Sequence, residues 1–144
     1  MTELAFHFNV PDRLGYACRL LRKAVGSGAR VVVTGQPDTL QELDALLWTF
    51  SAADFVPHCL ADSEPHVVVA SPVILSTVVT SVAHRQVLLN LGELVPAAFD
   101  QFERVIELVG QDERERQLAR ARWKQYTDRG YAITRHDLTL KTLD

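Results

Sequence analysis

Hydrophobic positions along this chain alternate between two patterns. In some stretches apolar side chains recur at helical spacing, and in others they run unbroken over a strand's length. Leu4 to Val10 (LAFHFNV) opens as a strand. Leu14 to Val25 places apolar residues at 14, 17, 18, 21, 24 and 25, which predicts a helix stopped by Gly26-Ser27-Gly28. Arg30 to Thr34 (RVVVT) is β-branched and continuous, the mark of a strand buried on both faces. After a turn at Gly35 to Asp38, Thr39 to Phe50 predicts a second helix with apolar positions 40, 43, 46, 47 and 50. Phe55-Val56-Pro57-His58 is extended, and its proline favours an edge.

Further on, Pro65 to Val79 carries one or two strands and Gln86 to Leu91 another. Pro96 to Phe102 predicts a short helix with proline at its start, where the missing N–H costs nothing. Arg104 to Val109 is a strand, and Glu113 to Arg129 a long helix closed by Gly130. The pattern assigns no element after Gly130. Strand–helix alternation with all-apolar strands predicts one α/β domain over residues 1–144. Its sheet is mostly parallel with helices on both faces, Rossmann-like but without a nucleotide site.

Charge sharpens the picture at the last helix. Arg114, Arg116, Arg120, Arg122, Lys124 and Arg129 are basic there, and Glu113, Glu115 and Asp128 acidic, so the segment carries net +3. The whole chain carries −3, which leaves −6 elsewhere. Arg116, Arg120 and Lys124 follow i, i+4, i+8 spacing and predict a cationic row beside Trp123. Either the row is simply solvated, or it receives an acidic, aromatic-bearing partner. A pI near 5.9 argues against a general nucleic-acid binder, which needs a broad basic surface. Cys18 and Cys59 form no paired motif and predict reduced thiols in a cytoplasmic protein. Met1 to Val10 lacks the basic start of a signal peptide. His66 to Val82 is too broken by Ser, Thr and Pro to span a membrane.

Catalytic constellations are not visible. Neither G-x-x-x-x-G-K-[ST] nor G-x-G-x-x-G occurs, and Gly26-Ser27-Gly28 precedes a strand where a phosphate loop would follow one. The five histidines show no metal-ligand spacing, and the serines stand in no nucleophile elbow. No cofactor or metal is expected. Trp48 falls just off the core stripe 40, 43, 47 of its helix, so both a packed position and an exposed interface anchor remain open for it.

Leu43 to Trp48 with Phe55-Val56-Pro57-His58, and Gln117-Leu118-Ala119-Arg120 with Arg122, Lys124 and Tyr126, resemble the chi subunit family of bacterial DNA polymerase III. His84 to Leu91, Val95-Pro96, Phe102 to Glu107 and the opening Phe6-His7-Phe8 are similar as well. The resemblance spans nearly the whole chain. It implies a non-catalytic, bacterial, replisome-associated accessory subunit with an α/β fold. Two partners are implied: the small psi subunit, which ties chi to the clamp loader, and the acidic tail of single-stranded-DNA-binding protein (SSB), which ends in Pro-Phe. Carried over motif by motif, the tail-binding residues are Trp48, Phe55, Arg116, Arg120, Trp123 and Lys124. Psi-binding residues are left unassigned, and DNA is met only indirectly.

Trp48, Phe55 or Trp123 would wall a slot for the terminal ring, and Arg120 or Lys124 would meet its carboxylate. Loss of tail binding is then expected from Arg120→Ala or Trp48→Ala. Two features depart from the family pattern: Trp123 stands where the family often has tyrosine, and Ser71 to Ala83 is more apolar than a polar loop. The apolar stretch reads as an extra strand or an exposed patch. The competing readings are a direct single-stranded-DNA-binding module and an enzyme on a nucleotide-binding-like fold.

Overall fold

The computed structural model describes residues 2–49 and 56–138. Among these residues seven strands form one all-parallel sheet: β1 (Glu3–Val10), β2 (Val31–Thr34), β3 (His58–Leu60), β4 (Val73–Leu75), β5 (Val87–Asn90), β6 (Arg104–Gly110) and β7 (Ile133–Asp137). Their spatial order is β3-β4-β2-β5-β6-β1-β7. The helices are α1 (Arg13–Gly26), α2 (Pro37–Thr49), α3 (Pro65–Ala70) and α4 (Glu113–Asp128).

The unbroken apolar runs are central because both faces of the sheet are covered. On one face Val31, Val33, Leu75, Leu89 and Leu108 meet Ala17, Cys18 and Leu21 of α1 and Leu40, Leu43 and Leu47 of α2. On the other, Phe6, Val32, Leu88 and Val105 meet Ala119 and Tyr126 of α4, with Phe99 and Phe102. Alternation along β2 sends Val32 to one core and its neighbours to the other. Both cysteines are free and buried, and burial pushes the Cys18 thiol up.

Asp12 and Asp112 cap α1 and α4, accepting from the N–H groups of Gly15 and Glu115. Asp12 therefore places its own carboxylate where a Rossmann fold would bring a phosphate to the first helix. β3 is an edge strand, as Pro57 suggested. Among the described residues no helix is long and apolar enough to cross a membrane.

The structure corrects three sequence expectations. Pro65 to Val79 does carry one strand, β4, but the span opens with a helix, Pro65–Ala70, that was not expected. Proline at its start is preset for helix, Ser71 Oγ satisfies the Val67 carbonyl at 2.7 Å, and none of its residues is buried, so β-branching has no sheet to serve. Of Pro96 to Phe102 only a 3₁₀ turn at Phe99–Gln101 forms. β7 exists although its sequence, Ile-Thr-Arg-His-Asp, has one apolar residue. An edge strand with half-exposed faces needs no apolar run. The apolar stretch after Ser71 divides between β4 and a loop that buries Val79 and exposes Val78.

Candidate functional site

Near its carboxyl end β1 departs from regular pairing. His7 lies opposite Leu108 and Val10 opposite Gly110, so β1 carries one extra residue there. Asn9 absorbs it in the left-handed region, φ 60°, a conformation asparagine tolerates better than other side-chain-bearing residues. Asn9 Nδ2 donates to Asp137 of β7 at 2.9 Å, and Arg116 of α4 donates to Asn9 Oδ1 at 2.9 Å. One strained asparagine thus joins β1, β7 and α4 at the rim of a cleft.

The cleft has a volume of about 440 Å³ and is lined by Phe8, Asn9, Gly110, Arg116, Arg120, Trp123 and Arg135. Its floor is aromatic. Phe6 stacks on Phe8 at 5.6 Å between centroids, and Trp123 lies 5.0 Å from Phe6 and 5.8 Å from Phe8. Its walls are cationic, with Arg116 and Arg120 from the helix and Arg135 from β7, whose guanidinium lies 5.0 Å over Phe8. Converging guanidinium groups above apolar rings suit an anionic group attached to an aromatic or apolar one.

A buried network holds α4 at that rim. Glu107, fully buried on β6, accepts from Arg122 Nε at 3.0 Å, Tyr126 Oη at 2.7 Å and Asn90 Nδ2 at 2.9 Å. Burial pushes the Glu107 carboxyl up, while Arg122 and the two neutral donors pull it back. Burial, reinforced by Glu107, pushes the Tyr126 phenol far above its ordinary value. Arg122 also donates to the Glu93 carbonyl at 3.0 Å, so the same side chain ties α4 to the loop after β5. Arg122 is therefore the one basic residue of the helix that faces inward, with 3% exposure.

Five of the six predicted site residues lie among the described residues, and these five separate in space. Arg116, Arg120 and Trp123 line the cleft. Lys124 does not, and pairs with Asp128 at 3.0 Å on the exposed side of the helix. The reason is geometric: each i, i+4 step drifts by about 40° around an α-helix, so the row leaves the cleft by its third member while Trp123 returns to it.

Trp48 is elsewhere. It is 62% exposed on α2, with its ring 5.2 Å from that of His58 on the edge strand β3. α2 covers one face of the sheet near β3, whereas α4 covers the other face near β6 and β7. The expectation that Trp48 shares a slot with the last helix therefore fails on topology. Phe55 lies outside the described residues. Reading from the chain missed Phe8, Asn9 and Arg135, and the only signal available was an asparagine and an arginine in short polar-ended strands. Among the described residues no group of three or more His, Cys, Asp or Glu is arranged to hold a metal ion.

Comparison with known proteins places the chain. The family described as DNA polymerase III chi subunit, HolC, matches residues 1–134. The DNA polymerase III subunit chi of Pseudomonas aeruginosa is 35% identical over 127 residues, covering 88% of this chain and 87% of that protein. The Escherichia coli subunit chi is 29% identical over 121 residues, covering 81% and 79%. In structure the chain is similar to the C-terminal domain of S. cerevisiae Dbp5, with TM-score 0.60, 12% identity and coverage of 95% of this chain and 90% of that one. A second structure of a DEAD-box Dbp5 C-terminal domain gives TM-score 0.58 at 13% identity, covering 96% and 91%. At such identity the likeness speaks to the fold alone. The family match over nearly the whole chain, with relatives of the same length, makes this chain a member of the chi subunit family of DNA polymerase III.

Proposed function

We propose that this chain is a non-catalytic adaptor of the bacterial replicase, holding the acidic C-terminal tail of SSB in the α4 cleft while pairing with psi on the clamp-loader side. The observation that carries the first half is the cleft itself: rings of Phe8 and Trp123 below, guanidinium groups of Arg116, Arg120 and Arg135 around. A tail ending in phenylalanine supplies a ring for that floor and carboxylates for those walls. Binding of this kind is modest for one tail and weakens with salt. Several tails on one SSB assembly then raise the effective concentration.

The second surface is at the β3 edge. Trp48 is exposed there beside His58, with Leu46 on the same helix, and Val67 and Val69 are exposed on α3, which follows β3. An exposed indole among apolar neighbours is what a protein interface uses as an anchor. We assign this edge to psi, which leaves the cleft free for the tail.

The test is titration of the full chain into a fluorescent peptide copying the cognate SSB tail, with and without its terminal phenylalanine, at two salt concentrations. Saturable binding that requires the phenylalanine and weakens with salt is expected. A folded protein that ignores the peptide sinks the tail assignment. Affinity for a single-stranded oligonucleotide in the absence of SSB, falling steeply with salt, would instead favour direct DNA binding.

A further inference from the structure

Resting on the assignment of the β3 edge to psi, we propose that Asp44 and His58 are positioning residues for Trp48: a buried imidazolium, gripped by the Asp44 carboxylate, fixes the exposed indole in the pose that the partner meets. Asp44 and Trp48 both lie on α2, four positions apart, so they share one face of the helix. His58 opens β3 beneath them. Its side chain has 0% exposure, whereas Trp48 is 62% exposed. One ring thus serves two neighbours of the same helical row. Asp44 meets its Nε2, and Trp48 lies edge-on to its plane, with centroids 5.2 Å apart and 61° between the rings.

The partners of His58 decide its charge. Nδ1 is 2.7 Å from the Val56 carbonyl, which can only accept, so Nδ1 carries a proton. Nε2 is shielded from solvent and stands 3.1 Å from Asp44 Oδ1, off the axis of an ideal ring N–H bond but well within ion-pair distance. A lone pair on Nε2 would face that carboxylate in repulsion, and a second proton turns the contact into an attraction. The ring is therefore cationic, and an indole is held more firmly by a cation than by a neutral ring. Trp48 gains from this a single orientation that its own exposure does not give it. An indole already ordered in the free chain loses less entropy when a partner closes over it.

The experiment reads the ring, the indole and the partner in turn, all on the full chain. With histidine labelled by nitrogen-15, NMR near neutral pH is expected to show protons on both ring nitrogens of His58, whose resonances are identified by their loss in His58→Gln. Asp44→Asn should leave a proton on Nδ1 alone. A neutral His58 in the unmodified chain overturns the proposal. Trp48 and Trp123 are the two tryptophans, so in a Trp123→Phe background the fluorescence anisotropy decay reports Trp48 alone. A single slow decay matching overall tumbling is expected, with a fast component appearing in Asp44→Asn and in His58→Gln. An indole equally restrained in Asp44→Asn overturns the proposal. The Asp44 side chain is 28% exposed and asparagine keeps its shape, so Asp44→Asn should fold even where His58→Gln does not, and circular dichroism checks both. Titration with psi then separates positioning from packing. Asp44→Asn should weaken psi by about threefold to tenfold, the scale of ordering one side chain, and add little to Trp48→Ala, because the two act through the same indole. Losses that multiply in the double variant mean that Asp44 acts apart from Trp48, and they overturn the proposal. If psi does not bind the unmodified chain, the assignment of the edge falls, while the ring and indole measurements still decide the positioning.

Discussion

At the scale of single residues, the same side-chain type does opposite work within one helix. Arg120 is exposed and exchangeable, whereas Arg122, two positions on, is buried against Glu107. Removing one partner of such a pair leaves the other charge buried and uncompensated. Arg122→Ala should therefore cost about 3–5 kcal/mol of stability in urea unfolding, against less than about 1 kcal/mol for Arg120→Ala. Replacing both members, Arg122→Met with Glu107→Gln, should recover part of the loss, because no orphaned charge remains and the amide oxygen can still accept from Tyr126 or Asn90. A double variant as unstable as Arg122→Ala would show that the arginine's packing matters more than its charge.

Tyr126 supplies a pH signature. Burial and the neighbouring Glu107 hold its phenol proton in the folded state well past the point where an unfolded chain releases it, and burial raises Tyr16 in the same sense. The folded state thus binds more protons than the unfolded one above about pH 10, so stability is full below that value and falls as pH rises through it. Tyr126→Phe removes the hydrogen bond to Glu107 and should lower stability by about 1–3 kcal/mol at neutral pH. The variant's stability should then decline less steeply above pH 10. Urea unfolding at pH 8, 10 and 11 reads both effects, and equal slopes for the two proteins would refute the assignment.

At the scale of elements, what could be read from the chain were the pieces whose burial is symmetrical. β2, β5 and β6 carry continuous apolar runs because both faces are covered, and α1 shows its apolar stripe and α4 its charged row and closing glycine openly. α3 misled because three valines looked like strand, although Pro65 and Ser71 decide the backbone. β7 was silent because an edge strand takes its place from backbone pairing with β1 rather than from its own side chains. The cleft was half legible for the same reason. Its helix half is local, while Phe8, Asn9 and Arg135 are joined by parallel pairing between segments some 128 residues apart.

Asn9 is where these elements meet, and it separates backbone from side-chain contributions. Asn9→Gly keeps the left-handed turn available but deletes the bonds to Arg116 and Asp137; Asn9→Ala loses both. Asn9→Ala should be less stable than Asn9→Gly by about 1 kcal/mol, the cost of forcing a Cβ into that region. Both should weaken tail binding to a similar extent, since the orientation of Arg116 is lost in each. Thermal melts and the peptide titration separate the two effects, and full tail affinity in Asn9→Gly would remove Asn9 from the cleft's design.

At the scale of the whole molecule, the sheet acts as a spacer. Trp48 marks the β3 edge, the cleft marks the β1–β7 edge, and two apolar cores lie between them on opposite faces. On the proposed function two partners are held at once, and a rigid parallel sheet would keep their surfaces apart without a hinge. Charge follows the same division: α4 carries net positive charge while the rest of the chain is acidic, so an acidic tail is drawn to one end and repelled elsewhere. Sites so separated, with no shared side chains, should behave additively. Trp48→Ala should weaken psi binding by about 2 kcal/mol or more and leave the tail's Kd unchanged within about twofold. Arg120→Ala should do the converse, weakening the tail most at low salt. Tail titrations with psi absent and with psi saturating complete the cycle, and equal affinity in both is expected. A tail affinity that falls when psi binds, or that Trp48→Ala abolishes, would mean that the two edges communicate or that one surface serves both partners, and the spacer account would have to be abandoned.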